Sequence, residues 1–139
     1  MKALETALYT KLTGDATLMG YLAGGVHNKV AKPETPYPYL VFQKVTGTPE
    51  YTFTERIRRS YLYQFRVIAA GAPDTGYSSS DIEDALARVD TLLTDAALTV
   101  TGETLWYCRR EGGMPDMTGL DNGQVLYQVG ATYRIELGG

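Results

Sequence analysis

The side chains with the most obvious capacity for chemistry in this sequence are carboxylates. Asp81 and Asp84 stand at the start of a helical pattern, Asp95 lies near its end, and Asp116 and Asp121 fall in a stretch of Gly, Met and Pro. Acid–base catalysis needs only two such groups, placed within reach of a substrate proton. However, Asp81, Glu83 and Asp84 crowd a helix's first turn, where the helix dipole favours negative charge. Ser80 and Glu83, three residues apart, form a capping box, so helix initiation accounts for this cluster. Asp116 and Asp121 offer oxygen ligands to magnesium or calcium, but their spacing does not match a calcium-binding loop.

Other reactive groups are scarce. His27 is the one histidine and Cys108 the one cysteine. Zinc sites draw mainly on these two residue types and the commonest general base is histidine, while an internal disulfide needs a second thiol. Cys108 sits in an apolar alternation and reads as a small core or sheet residue, and His27 reads as an edge residue. Gly24-Gly25 and Gly112-Gly113 do not lie between a strand and a helix, as a phosphate-cradling loop requires. There is no Gly-x-Ser-x-Gly elbow, and Ser78, Ser79 and Ser80 have no nearby candidate base. No catalytic residue, metal or cofactor is expected.

The remaining candidates make contacts rather than reactions. A net charge of −3 disfavours a broad nucleic-acid-binding face and leaves two small basic groups, Arg56, Arg58 and Arg59, then Arg109 and Arg110. On a regular strand Arg58 and Arg59 point to opposite faces. Such arginines either discourage edge-to-edge aggregation, or form ion pairs with an adjacent subunit or line a lumen through which DNA passes. Tyr51 and Phe53, aromatic within a polar stretch, imply a partner that covers them, or else fold onto their own sheet. The eleven tyrosines suit either an interface or a half-exposed sheet.

These groups need elements to hold them. Leu4, Ala7, Leu8 and Leu12 share one stripe of a helix over 2–13. Gly14 then suits a left-handed helix end, and Asp15 caps a second short helix. Val26–Ala31 is a short strand. Three prolines between Lys32 and Tyr39 impose an extended lead into a strand at Tyr39–Val45. Residues 46–55 read as a polar loop. A long strand starts in the basic Arg56–Arg59 stretch and alternates cleanly over Tyr61–Ala69. A helix over 80–94 carries Ile82, Ala85, Leu86, Val89, Leu92 and Leu93 on one stripe. Residues 98–110 give a short strand, a Gly102 turn and a second strand. Residues 111–123 read as a long loop, and Val125–Leu137 is the cleanest strand. The expected fold is α+β: one domain, 1–139, with a twisted antiparallel sheet of about four strands packed with N-terminal and central helices. No apolar run is long enough to span a membrane, and no signal peptide is read at the N-terminus, which places the chain in the cytoplasm when made.

Taken in order, these features resemble a family of bacteriophage proteins. The residues that carry the resemblance are the paired N-terminal helices ending in Leu22-Ala23-Gly24-Gly25-Val26 and the proline-punctuated lead Val30-Ala31-Lys32-Pro33-Glu34-Thr35-Pro36-Tyr37-Pro38-Tyr39-Leu40-Val41. The strand Tyr61–Ala69, the Ser-Asp-Ile-Glu helix start with a helix ending near Leu93, a strand around Leu98–Val100 and the last long strand follow in the same order. The chain is similar over nearly its whole length to the tail terminator, or tail-to-head joining (tail completion), proteins of long-tailed phages. That resemblance implies a structural, non-enzymatic virion protein at the head-proximal end of the tail, assembled in the host cytoplasm. It implies a homo-hexameric ring that caps the tail tube, stops tube polymerisation and offers a surface for head joining. The implied partners are further copies of the chain, the major tail tube protein and a head-completion or connector protein, with DNA passing through the lumen without sequence-specific binding. The alternatives are a neighbouring head–tail connector, a small-molecule-binding or enzymatic α+β domain, or a nucleic-acid-binding regulator. The family brings no catalytic residues. From the two long loops and their flanks, Tyr51, Phe53, Arg56, Arg58, Arg59, Met114, Asp116 and Met117 are nominated as subunit or tail-tube contacts.

Overall fold

The helical stripe of the N-terminus folds as α1 (Lys2–Thr13), with Leu4, Ala7, Leu8 and Leu12 buried, in a computed structural model. The structure describes residues 2–51, 56–71, 79–94, 98–121 and 124–138. Gly14 does not take the left-handed conformation expected of it: among the described glycines only Gly25 and Gly102 have positive φ. The joint is instead closed by the Gly14 N–H donating to the Thr10 carbonyl at 3.0 Å. Asp15 caps α2 (Ala16–Tyr21), its carboxylate accepting from the Leu18 N–H at 2.8 Å.

A five-stranded sheet follows, in the order β1-β2-β3-β5-β4. Its strands are β1 (Val26–Asn28), β2 (Tyr39–Tyr51), β3 (Arg56–Gly71), β4 (Thr104–Asp121) and β5 (Gln124–Gly138), with α3 (Ser79–Leu93) between β3 and β4. The sheet has one strand more than expected and is mixed, because β1 runs parallel to β2 while the β2–β3, β3–β5 and β4–β5 pairs are antiparallel. The proline segment makes the crossover that a parallel pair needs. It passes close to Gly24, where a Cβ would collide with the Pro36 carbonyl oxygen. Ser80 lies inside the first turn of α3; its side chain falls outside the described residues, and Glu83, the other half of the expected capping box, is exposed.

Both expected long loops are mostly strand. The stretch 46–55 continues β2 to Tyr51, in ladder with β3. Pro49 is tolerated because β1 pairs only as far as Phe42, leaving β2 an edge strand at that point. The stretch 111–123 continues β4 to Asp121. Its Gly, Pro and Asp residues are absorbed by irregularities at Arg110/Gly112 and Met114/Met117 on the outermost strand, where a bulge disturbs one ladder only. Residues 98–100 are not a strand. Leu98 and Val100 are buried without ladder partners, and the Gly102 turn leads directly into β4.

All described helices cover one face of the sheet. Tyr61, Tyr63, Phe65, Val67 and Ala69 of β3 and Val129, Ala131, Tyr133, Ile135 and Leu137 of β5 meet Leu4, Leu8, Ile82, Val89 and Leu93 in one core cluster. Burial of side chains such as Phe65 and Leu8, each fully inaccessible, stabilises the fold by roughly 1.5–3 kcal/mol apiece. Cys108 lies in this core as a free thiol. Two tyrosines fasten the layers. The Tyr133 hydroxyl donates to Asp90 of α3 at 2.8 Å, and Tyr63 reaches Glu5 of α1 at a longer 3.4 Å. Burial, then the facing carboxylate, pushes both phenols well above their ordinary range. Arg88 of α3 grips the Asp15 carboxylate with two bonds of 2.8 Å, joining α2 to α3.

Candidate interaction surface

The other face of the sheet carries no described helix. The alternation that buries the odd positions of β3 and β5 turns the even ones outward. Strand register sets these side chains in rows: Val41–Arg66–Gly130–Met114, then Gln43–Gln64–Thr132–Gly112, then Thr46–Leu62–Arg134–Arg109. The next row places Ser60 beside Glu136 and Tyr107.

Two features of this face stand out energetically. Arg109 and Arg134 are directly opposite each other on β4 and β5, a placement that costs stability for like charges. Arg134 is relieved by a two-pronged ion pair with Glu111 (2.7 and 3.2 Å) and by donating to Ser60 Oγ at 3.1 Å. That guanidinium holds the Glu111 carboxyl below its ordinary value. Arg109 lies over the Tyr107 ring at 5.3 Å, and the Tyr107 hydroxyl donates to Glu136 at 2.8 Å. The second feature is the centre of the face. Gly130 leaves room for the stem of Arg66 and the thioether of Met114, both 3.0 Å from where a Cβ would stand. There Arg66 Nε and Gln128 Oε1 are buried without hydrogen-bond partners among the described residues. Such atoms are rare in native folds.

The nominated contacts fall at two separate places. Tyr51 and Arg56 face each other across the β2–β3 hairpin, and Arg58 stands opposite Glu50; the side chains of these residues, and all of Phe53, lie outside the described residues. Arg59 turns to the helix-covered side, in register with Leu137, and forms an ion pair with Glu103; the two side chains are 12% and 13% exposed. Breaking such a nearly buried pair leaves a charge uncompensated, so Arg59 has a structural task within the chain. Met114 and Met117 are on β4, opposite Gly130 and Gln128, with Asp116 in the irregular step between them. Arg59 and the Arg66 row that holds Met114 are seven residues apart along β3, roughly 23 Å. The structure therefore joins Met114 to the open face, and not to the basic group at the other hairpin, while the side chains of Asp116 and Met117 lie outside the described residues. Reasoning from loops missed Arg66, Gln64, Gln128, Thr132 and Arg134. Their signal was the set of even positions in the two best strands.

Little here is arranged for catalysis. Among the described residues no three His, Cys, Asp or Glu side chains gather as a metal site. His27 donates its Nε2–H to the Gly24 carbonyl at 2.7 Å, since a carbonyl oxygen only accepts. A cleft of about 540 Å³ opens between α1 and residues 98–101. Its described polar lining is Lys2, Lys11 and four threonines, which has no acid–base pair. No described helix is long and apolar enough to cross a membrane.

Comparison with known proteins agrees with this architecture. A family model described as tail completion protein gp17 matches residues 6–132. No curated protein matches the sequence. Among solved structures, a chain from "Virion of native gene transfer agent (GTA) particle" superposes with a TM-score of 0.76 at 17% identity, covering 98% of this chain and 95% of that one. A second solved chain gives a TM-score of 0.57 at 16% identity over 96% of this chain and 94% of its own length. At these identities the two likenesses establish the fold.

Proposed function

The chain belongs to the tail completion protein gp17 family, and from that premise we propose that it is the tail terminator of a phage-like particle. Copies close into a hexameric ring on the last ring of the tail tube, end its polymerisation and present a surface to the head-completion protein. The protein is then a structural component of the virion tail at its head-proximal end, and DNA passes through the ring without sequence-specific contacts. The observation that carries this reading is the family match over residues 6–132. The gene transfer agent virion chain of the same fold supports a particle-assembly role, and the bare sheet face with unpartnered polar atoms supports a working form in which other molecules cover it.

The physical demands of the role suit a two-layer subunit. A ring needs two different surfaces that meet head to tail and close by rotation. Stopping a polymer needs one face that fits the tube and another that does not accept the next tube subunit. Chemistry is not required. The test is tube growth in vitro: added to polymerising tail tube protein, the chain should shorten the tubes and appear at one end only in electron micrographs. Unchanged tube lengths together with binding to the portal side of heads would make it a head–tail connector instead.

A further inference from the structure

We propose that α3 of one copy covers the open sheet face of the next, the acidic start of the helix meeting the arginines of that face. This rests on the ring reading above and specifies the contact that closes the ring. Three observations lead to it. The fold is two-layered, with every described helix on the Tyr63–Tyr133 side. The opposite side still carries partly exposed aliphatic area, in Leu62 and Met114, of the kind a second layer normally covers. The face also carries cationic side chains: the exposed Arg109 and the partly exposed Arg66 stand on it, beside Arg134, whose guanidinium is already held by Glu111 and Ser60.

The surface with the matching character is on the far side of the same molecule. Glu83, Asp84, Ala87 and Thr91 of α3 are exposed and follow one another at helical spacing, two carboxylates and then two small residues. Carboxylates answer guanidinium groups with charge-assisted bonds. Small side chains let a helix settle close to the Gln64–Thr132 row. Because the two surfaces lie on opposite layers, the contact is head to tail and can close with a rotation at each step. A nucleic acid is the other polyanion that arginines could take. The partly exposed aliphatic Leu62 and Met114 and the exposed carboxylate Glu111 on the same face fit a protein surface better than a phosphate backbone.

The experiment is a charge swap. One variant carries Glu83→Lys and Asp84→Lys, the other Arg66→Glu and Arg109→Glu, each checked for folding by circular dichroism and melting. If the second does not fold, Gln64→Glu replaces Arg66→Glu. Association is read by light scattering of the free chain and by occupancy of tail tube ends. Each variant alone should associate roughly tenfold or more weakly than the natural chain. Mixed together they should recover assembly, since Lys on one then meets Glu on the other and the natural pairing survives at the alternate contacts. Wild-type assembly by either variant alone overturns the proposal and leaves the ring reading standing. Weakened assembly without recovery on mixing overturns it as well. Natural chain that stays monomeric both free and with tubes removes the ring reading and this contact together. If the sheet variant loses binding to a duplex oligonucleotide while its association is intact, the face belongs to DNA and the proposal falls.

Discussion

The two faces of the sheet are built from the same two strands and do opposite things. On β3 and β5 the odd positions run Tyr63, Phe65, Val67 and Val129, Ala131, Tyr133, all buried among helices. The even positions run Gln64, Arg66 and Gln128, Thr132, Arg134, which no described helix covers. On one face even the phenol hydroxyls reach carboxylates, on α1 and α3. The other leaves Arg66 Nε and Gln128 Oε1 buried and unmatched. Burial against the chain's own helices thus makes the fold, while the opposite face keeps polar rows that no described helix covers.

Substitutions separate the two roles. The largest effect belongs to the covered face: Phe65→Ala should cost about 3–5 kcal/mol in urea unfolding, because Phe65 is fully buried against Phe42 and Tyr133. A loss under about 1 kcal/mol would mean that the core is looser than its burial implies. Tyr133→Phe removes one buried hydroxyl bond to Asp90 and should cost about 1 kcal/mol. Tyr63→Phe, whose bond to Glu5 is longer, should cost less, and the reverse order would contradict the geometry.

Asp15 gives a pH signature. Arg88, then the Leu18 N–H, hold its carboxyl down from 3.8 to about 2. A depressed folded-state value means that its stabilisation is complete above the unfolded value near 4 and is lost as pH falls toward 2. Asp15→Asn should therefore flatten the acid limb of the melting temperature between about pH 4 and pH 2 and leave the alkaline limb unchanged. An unaltered acid limb would show that the Arg88 clasp does not contribute to stability. The smallest stability effect belongs to the open face, where Gln64→Ala should stay within about 0.5 kcal/mol while weakening association of copies. A core-sized loss there would break the division between the faces.

Much of this was legible in the sequence wherever a period was clean. The stripe Leu4, Ala7, Leu8, Leu12 gives α1, the alternation over Tyr61–Ala69 and Val125–Leu137 gives the two central strands, and Asp15 announces its cap. Strand ends were misread because Pro49, Gly112, Gly113 and Pro115 are turn formers that an edge strand or a bulge accommodates, which depends on strand order and not on local composition. Long-range pairs such as Arg88 with Asp15 and Arg59 with Glu103 have no local signal at all. The open face had one, in the polar half of each alternating strand, but aromatics and arginines in supposed loops drew most of the nominations, and only Met114 is placed on that face.

The most direct test of the ring itself is the absolute mass of the purified protein, measured by light scattering over a concentration series with and without tail tubes. The account predicts a sixfold mass, free or released from capped tubes, with intermediate values only where monomer and ring interconvert. A stable dimer with no higher species would contradict it, because a twofold contact uses up the surface that head-to-tail closure requires.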